Sequence, residues 1–188
     1  MIAFNSLPVF KTERLNLRAL RPADAGELHV IRSDGSVNRY INRPKNPLLD
    51  DVKGFIETTN RKISESSCLY WAITLNTADK LIGTICLFNF TPDKTRAELG
   101  YELHPNHHGA GLMNEAVQPV LQHAVEKLTL QTIVAVCQPG NHRSVNVLLK
   151  NNFVRNLALE AVAPDDIRGF EIYALEIREH PGKIKTCY

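Results

Sequence analysis

Residues 105–115, PNHHGAGLMNE, set Gly109 and Gly111 one residue apart, just ahead of an apolar run at helical spacing (Leu112, Ala116, Val117, Val120, Leu121, Ala124). A strand-like segment, 97–104, comes immediately before. A strand, a short glycine loop and a helix start leave backbone N–H groups without partners at the positive end of a helix dipole. That arrangement holds phosphate. The pattern is not a dinucleotide fingerprint, because no third glycine follows, nor a Walker loop, because Gly-Lys-Ser/Thr is absent. Taken alone it is equally a tight turn.

A second helix start lies further along. Asn141 is followed at i+3 by Ser144, then by Val145, Leu148 and Leu149 and by Asn151-Asn152-Phe153. Asn and Ser there are ordinary capping residues. With the glycine loop, however, two helix N-termini would flank adjacent strands, and a crevice between those strands would take an extended ligand. Glu98 and Glu102 share a parity on the preceding strand, so both carboxylates look to one face. They are either a solvated strand face or candidate bases. His104, His107 and His108 have no ligand spacing and no nearby carboxylate or thiol partner, so no metal is expected.

These residues need elements to position them. Alternation over 14–19 predicts a first strand. Pro22 opens a helix to about residue 32, the 33–35 segment breaks it, and 36–47 reads as loop or short helical turns. Asp50 and Asp51 cap a helix over 52–64. A meander follows, with strands at 69–75, 81–90 and 96–104 and a turn at 78–80. The glycine loop leads into a helix to about 127, although Pro119 inside it implies a kink or a shorter helix. The 132–137 segment reads as a strand buried on both faces. A helix over 142–151 and a closing antiparallel pair, 153–162 with 170–177, complete the order βααβββαβαββ. This is an α/β mixed sheet with helices on both faces, expected as one domain over 1–188.

The 188 residues are 44% apolar with a net charge of +2 and no long basic run, so nucleic acid is not an expected partner. No segment reads as a signal peptide or membrane span, so no membrane is expected and a cytoplasmic location is. Cys68, Cys86, Cys137 and Cys187 form no C-x-x-C pair and read as reduced thiols. Cys187 is next to last and so makes no prenylation box.

The segments AELGYELHPNHHGAGLMNEAV and PGNHRSVNVLLKNNFV resemble the GNAT superfamily of acyl-CoA-dependent N-acyltransferases. With TERLNLRAL and WAITLNTADKLIGTICL they are similar to its RimJ/RimL branch, which acetylates N-terminal amines of ribosomal proteins. The resemblance covers about residues 12–177. It implies a GNAT fold in which the fourth and fifth strands splay apart at a bulge. Acetyl-CoA would be the cosubstrate. Its pantetheine arm would pair with Tyr101, Glu102 and Leu103 and with Asn141. Its pyrophosphate would meet the N–H groups of His108, Gly109, Ala110, Gly111, Leu112 and Met113. An N–H near Tyr101 would polarise the thioester carbonyl, and Ser144 would protonate the departing thiolate.

The family loop opens with Gln or Arg and carries a polar residue between its glycines; Asn106 and Ala110 stand there. The glutamate that some of the branch use as base falls at about Ala163, with Glu160 out of register. Glu98 or Glu102 is then left as base. The implied acceptor is a primary amine, first a protein N-terminus and otherwise a small amine such as a polyamine, amino acid or antibiotic. A non-catalytic acyl-CoA-binding module is the third reading. Arg39, Tyr40, Arg43 and Lys45 suit an acidic or carboxylate-bearing acceptor. A homodimer through the substrate-side loops would fit the branch. Cys137 lacks an activating histidine at a readable spacing, which disfavours a covalent route.

Overall fold

The central segments 69–73 and 81–87 are buried at nearly every residue, so the sheet offers an apolar face to each of two helical layers. The computed structural model describes residues 7–177; Cys187 lies outside them. The elements run β1 (Phe10–Lys11), β2 (Leu15–Arg18), α1 (Ala25–Ser33), α2 (Gly35–Asn38), α3 (Leu49–Ser64), β3 (Leu69–Leu75), β4 (Ala78–Phe88), β5 (Arg96–Leu103), α4 (Leu112–Glu126), β6 (Thr132–Cys137), α5 (His142–Lys150), β7 (Val154–Arg155), α6 (Leu157–Ala161) and β8 (Glu171–Glu176). The strands form one mixed sheet in the order β1-β2-β3-β4-β5-β6-β8-β7. Among the described residues only β5 and β6 are parallel neighbours. The expected α/β mixed sheet is therefore what forms.

One core lies beneath α4, where Met113, Ala116, Val117 and Val120 meet Leu17, Trp71, Ile73 and Ile85. The other lies beneath α1 and α3, where Leu28, Ile31, Val52 and Ile56 meet Ala72 and Leu81. Trp71 and Ala72 are consecutive, so these cores lie on opposite faces of the sheet. Among the described residues no helix is long and apolar enough to cross a membrane.

The feature that matters for function is a gap. β5 and β6 pair only at Arg96↔Thr132, Ala97↔Ile133 and Glu98↔Val134. Beyond that, β5 stays on β4 to Leu103 and β6 stays on β8 to Cys137. The two strands part after Glu98, as the resemblance implied, but no bulge parts them. The β4–β5 register runs unshifted from Phe88↔Glu98 to Gly83↔Leu103.

Local chemistry explains the other departures. The 78–80 segment belongs to β4 rather than to a turn. The α3 helix starts at Leu49, where Asp51 reaches back to accept the Leu48 N–H at 2.8 Å, the return half of a capping box. The α4 helix runs unbroken through Pro119. β6 is buried on one face only: Ile133, Ala135 and Cys137 are buried, whereas Thr132, Val134 and Val136 are partly exposed. The α1 and α3 layer packs on β3 and β4 and leaves that face of β6 open. The expected strand over 153–162 shrinks to two residues, because Asn156 accepts the Leu159 N–H at 3.0 Å and caps the helix-forming Leu157–Ala161.

Candidate active site

The backbone of β5 decides what the gap offers. The His104 N–H donates to Ile82 O at 2.8 Å. In this antiparallel register, Glu102↔Thr84 and Gly100↔Cys86 are then also hydrogen-bonded pairs, and the odd-numbered residues turn their N–H and C=O away from β4 into the gap. Tyr101 presents both groups there. Glu102 does not, since its backbone faces β4; a Cβ on Gly83 would lie 2.5 Å from Glu102 O. Leu103 O is already occupied, accepting from His108 Nε2 at 2.8 Å. Of the three residues expected to pair with a pantetheine arm, Tyr101 is the one with both groups free to do so.

At one end of the gap is the glycine loop. Gly109 and Gly111 have φ of +78° and +76°, in the left-handed region that costs a side-chain-bearing residue about 1–2 kcal/mol. Gly111 caps α4, so the N–H groups of Leu112, Met113 and Asn114 lack intrahelical acceptors. Among the described residues, the N–H groups of Gly109, Ala110 and Gly111 have no acceptor either. The His108 N–H was expected among these donors, but it closes a 3-10 turn on Pro105 O at 3.0 Å. His108 contributes its ring instead. Nε2 donates to Leu103 O, and Nδ1 accepts from Arg143 Nη1 at 2.9 Å.

The loop is braced from behind. Arg14 Nη1 donates to Ala110 O at 2.9 Å, and Glu115 takes Arg14 Nε at 2.6 Å and the Thr12 hydroxyl at 2.5 Å. Although burial pushes the Glu115 carboxyl up, these hydrogen bonds hold it below the ordinary carboxylate range. The T-x-R of the opening segment is thus tied to the glutamate that follows the glycines.

Beside the gap, Asn141 Oδ1 accepts the Ser144 N–H at 3.3 Å and caps α5. Asn141 Nδ2 keeps its donors free among the described residues. The Tyr101 hydroxyl lies 2.8 Å from Ser144 Oγ and 3.1 Å from Ser144 O, and Cys137 Sγ donates to Ser144 Oγ at 3.3 Å. Burial pushes the Tyr101 phenol up well beyond its ordinary range and pushes the Cys137 thiol up as well, so both remain protonated. A neutral thiol donating to serine is a poor nucleophile.

The two β5 carboxylates have separate fates. Glu102 is 7% exposed and is held by two guanidinium groups. Its Oε2 lies 2.6 Å from Arg43 Nη1, an ion pair without hydrogen-bond geometry, and its Oε1 lies 3.4 Å from Arg32 Nε and 3.3 Å from the Thr84 hydroxyl. The Arg32 guanidinium in turn stacks 3.5 Å over the Phe55 ring. This carboxylate is thus shared between two guanidinium groups. Glu98 stands where β5 and β6 part. Its Oε2 accepts one amide N–H, from Asn89 at 3.0 Å. Burial raises its pKa, the Asn89 bond works against that, and nearby Asp166 adds to the rise.

Glu160 is also accounted for. It accepts Arg155 Nε at 2.8 Å and the Ile172 N–H at 2.9 Å, and so pins α6 to β8. Ala163 lies in the connection after α6.

The residues that sequence reasoning passed over are mostly side chains acting at a distance in sequence. They are the Tyr101 phenol, Arg143, Arg14 and Thr12. Asn151 belongs with them, its side chain bonded to Gln118 and Asn114 of α4 and to Val147 O of α5. The Asn151-x-Phe153 pattern directly after α5 was the signal for that clamp. On the face that Glu98 and Glu102 share, a groove of about 530 Å³ opens between the 33–46 segment and Gln138, the residue after β6.

A family model described as an acetyltransferase (GNAT) domain matches residues 14–154. The chain is 31% identical over 174 residues to an uncharacterized N-acetyltransferase, p20, of Bacillus licheniformis, covering 91% of this chain and 97% of that protein. It is 34% identical over 76 residues to a ribosomal-protein-serine acetyltransferase of Escherichia coli, covering 40% and 42% of the two chains. Among solved structures, RimL, a ribosomal L7/L12 alpha-N-protein acetyltransferase in complex with coenzyme A, superposes with a TM-score of 0.79 at 16% identity, covering 90% of this chain and 98% of that one. The parted strands, the glycine loop at a helix start and these relatives agree: the chain belongs to the GNAT acetyltransferase family and is an N-acetyltransferase.

Proposed function

We propose that this enzyme transfers an acetyl group from acetyl-CoA to a protein N-terminal amine, by direct attack within a ternary complex in the gap between β5 and β6. The observation that carries this reading is the parting of those strands after Glu98, with a free Tyr101 edge inside, free glycine-loop N–H groups at one end and the Ser144 hydroxyl alongside. The gap suits an extended arm, and the loop suits a pyrophosphate. The names of the E. coli relative and of RimL support a protein acceptor.

Acetyl-CoA, when bound, supplies an acyl group activated as a thioester. The free N–H groups from Gly109 to Met113, with Asn141 Nδ2, hold the donor, and Arg143 adds positive charge beside the loop. The Tyr101 N–H stabilises charge developing on the thioester oxygen. Glu98 takes the proton that the attacking amine must lose; its raised pKa brings it closer to the working pH, where a base is most effective. Ser144 gives its proton to the leaving sulfur. The Tyr101 hydroxyl, 2.8 Å away, orients the serine hydroxyl, and solvent returns the serine's proton as Glu98 releases the one taken from the amine. Holding both reactants in one gap supplies the proximity that a bimolecular acyl transfer needs.

The test is to incubate the enzyme with acetyl-CoA and a library of N-terminal peptides and to follow thiol release and peptide mass. Acetylation confined to the N-terminal amine is the expected result. Transfer to lysine side chains or polyamines, with no N-terminal product, would sink the reading.

A further inference from the structure

The groove beside Gln138 has a one-sided charge. Asn38, Arg39, Asn42, Arg43, Lys45 and Gln138 are among the residues that line it, and none of its lining residues is a carboxylate. Arg39 and Lys45 have no acidic partner among the described residues. Arg43 is held in place from two sides, by Asn38 Oδ1 accepting its Nε at 2.7 Å and by Glu102. Its second terminal nitrogen, Nη2, is buried without a hydrogen-bond acceptor among the described residues. Glu102 anchors Arg43 and is itself shared with Arg32, so the groove lined by Arg39, Arg43 and Lys45 keeps a net positive charge. The groove also adjoins the donor site, for Gln138 directly follows β6 and the Tyr40 hydroxyl lies 3.9 Å from where a Cβ on Gly140 would stand.

From this we infer that the acceptor is a peptide whose N-terminal amine is followed closely by acidic side chains, which Arg39, Lys45 and the anchored Arg43 bind while the amine reaches the gap. The inference rests on the reading of a protein N-terminal acceptor given above. Glu102 is on this view a positioning residue for the acceptor's anion. Exposed cations paired with carboxylates are screened by salt, so the preference weakens as ionic strength rises.

The experiment measures binding and turnover separately. Calorimetry on the full-length protein saturated with CoA compares the peptide Ser-Asp-Asp-Ala with Ser-Asn-Asn-Ala and with O-phosphoethanolamine. Thiol release with acetyl-CoA is followed for the same three. The acidic peptide should bind about tenfold or more tightly than its amide twin. The double substitution of Arg39→Ala and Lys45→Ala on the exposed loop should abolish that difference. Equal binding of the two peptides, or no binding of either, overturns the inference. If both peptides are acetylated equally well, the transfer reading stands and the anion preference falls. If the acidic peptide binds selectively yet releases no thiol, the anion groove stands and the transfer reading falls. Selective binding of the phosphoamine alone overturns a peptide acceptor.

Discussion

The Ser144 hydroxyl lies 2.8 Å from the Tyr101 hydroxyl, and that contact joins the start of α5 to the free edge of β5 across the gap where the strands part. It brings a proton donor, a second donor behind it and a free backbone N–H to one place. Neither the Asn141 cap nor the glycine loop alone would do this.

Ser144→Ala should lower kcat by about a hundredfold or more while the acetyl-CoA affinity stays near its original value. The α5 cap survives, because Asn141 receives the backbone N–H of residue 144, which alanine retains. Tyr101→Phe should show a smaller loss. Steady-state kinetics on one active peptide checks both, and an unchanged kcat in Ser144→Ala would reduce the serine to a helix-start residue.

The pH profile should report Glu98. A base whose carboxyl is raised by burial gives activity that rises with pH through a limb above the ordinary glutamate range. Asn89→Ala removes a hydrogen bond to the ionised form and should move that limb up. Asp166→Asn removes a nearby like charge and should move it down. For stability the sign is opposite. The raised folded pKa means that Glu98 favours the fold most below its unfolded pKa, and that contribution is lost as pH rises through the folded value. Urea midpoints across the acidic range would show whether it is so.

Gly111→Ala should weaken CoA binding and cost about 1–2 kcal/mol of stability, since φ is +76° there. Calorimetric titration with CoA and a denaturation curve separate the two effects.

Arg18→Met should destabilise the fold by about 3–5 kcal/mol without touching the gap. Arg18 is 4% exposed and makes a two-pronged pair with buried Asp24, at 2.8 Å for each prong, so its loss strands a buried carboxylate. A lowered urea midpoint with intact kcat per folded molecule is the expected outcome.

Much of this was legible from local pattern. Glycines that need left-handed φ, an Asn cap three residues before its target and apolar alternation are signals contained within a few residues, and they located the loop, α5 and the meander. Contacts between distant segments were not legible. Glu102 and Glu98 have the same parity and read alike, yet Arg32 and Arg43, contributed by α1 and the following loop, lock one and leave the other. The Tyr101 phenol is buried among groups more than thirty residues away. The 157–161 segment misread as strand because its apolar residues satisfy either period in so short a run, and the cap at Asn156 settled it as helix.

The central claim is that Glu98, and not Glu102, takes the amine's proton. The direct measurement is the pH dependence of kcat for Glu98→Gln and Glu102→Gln on one acetylated peptide. The account predicts that Glu98→Gln loses roughly a hundredfold or more in kcat together with the acidic limb, while Glu102→Gln keeps kcat and the limb and raises the peptide KM. A Glu98→Gln enzyme with the original kcat and pH profile would contradict it.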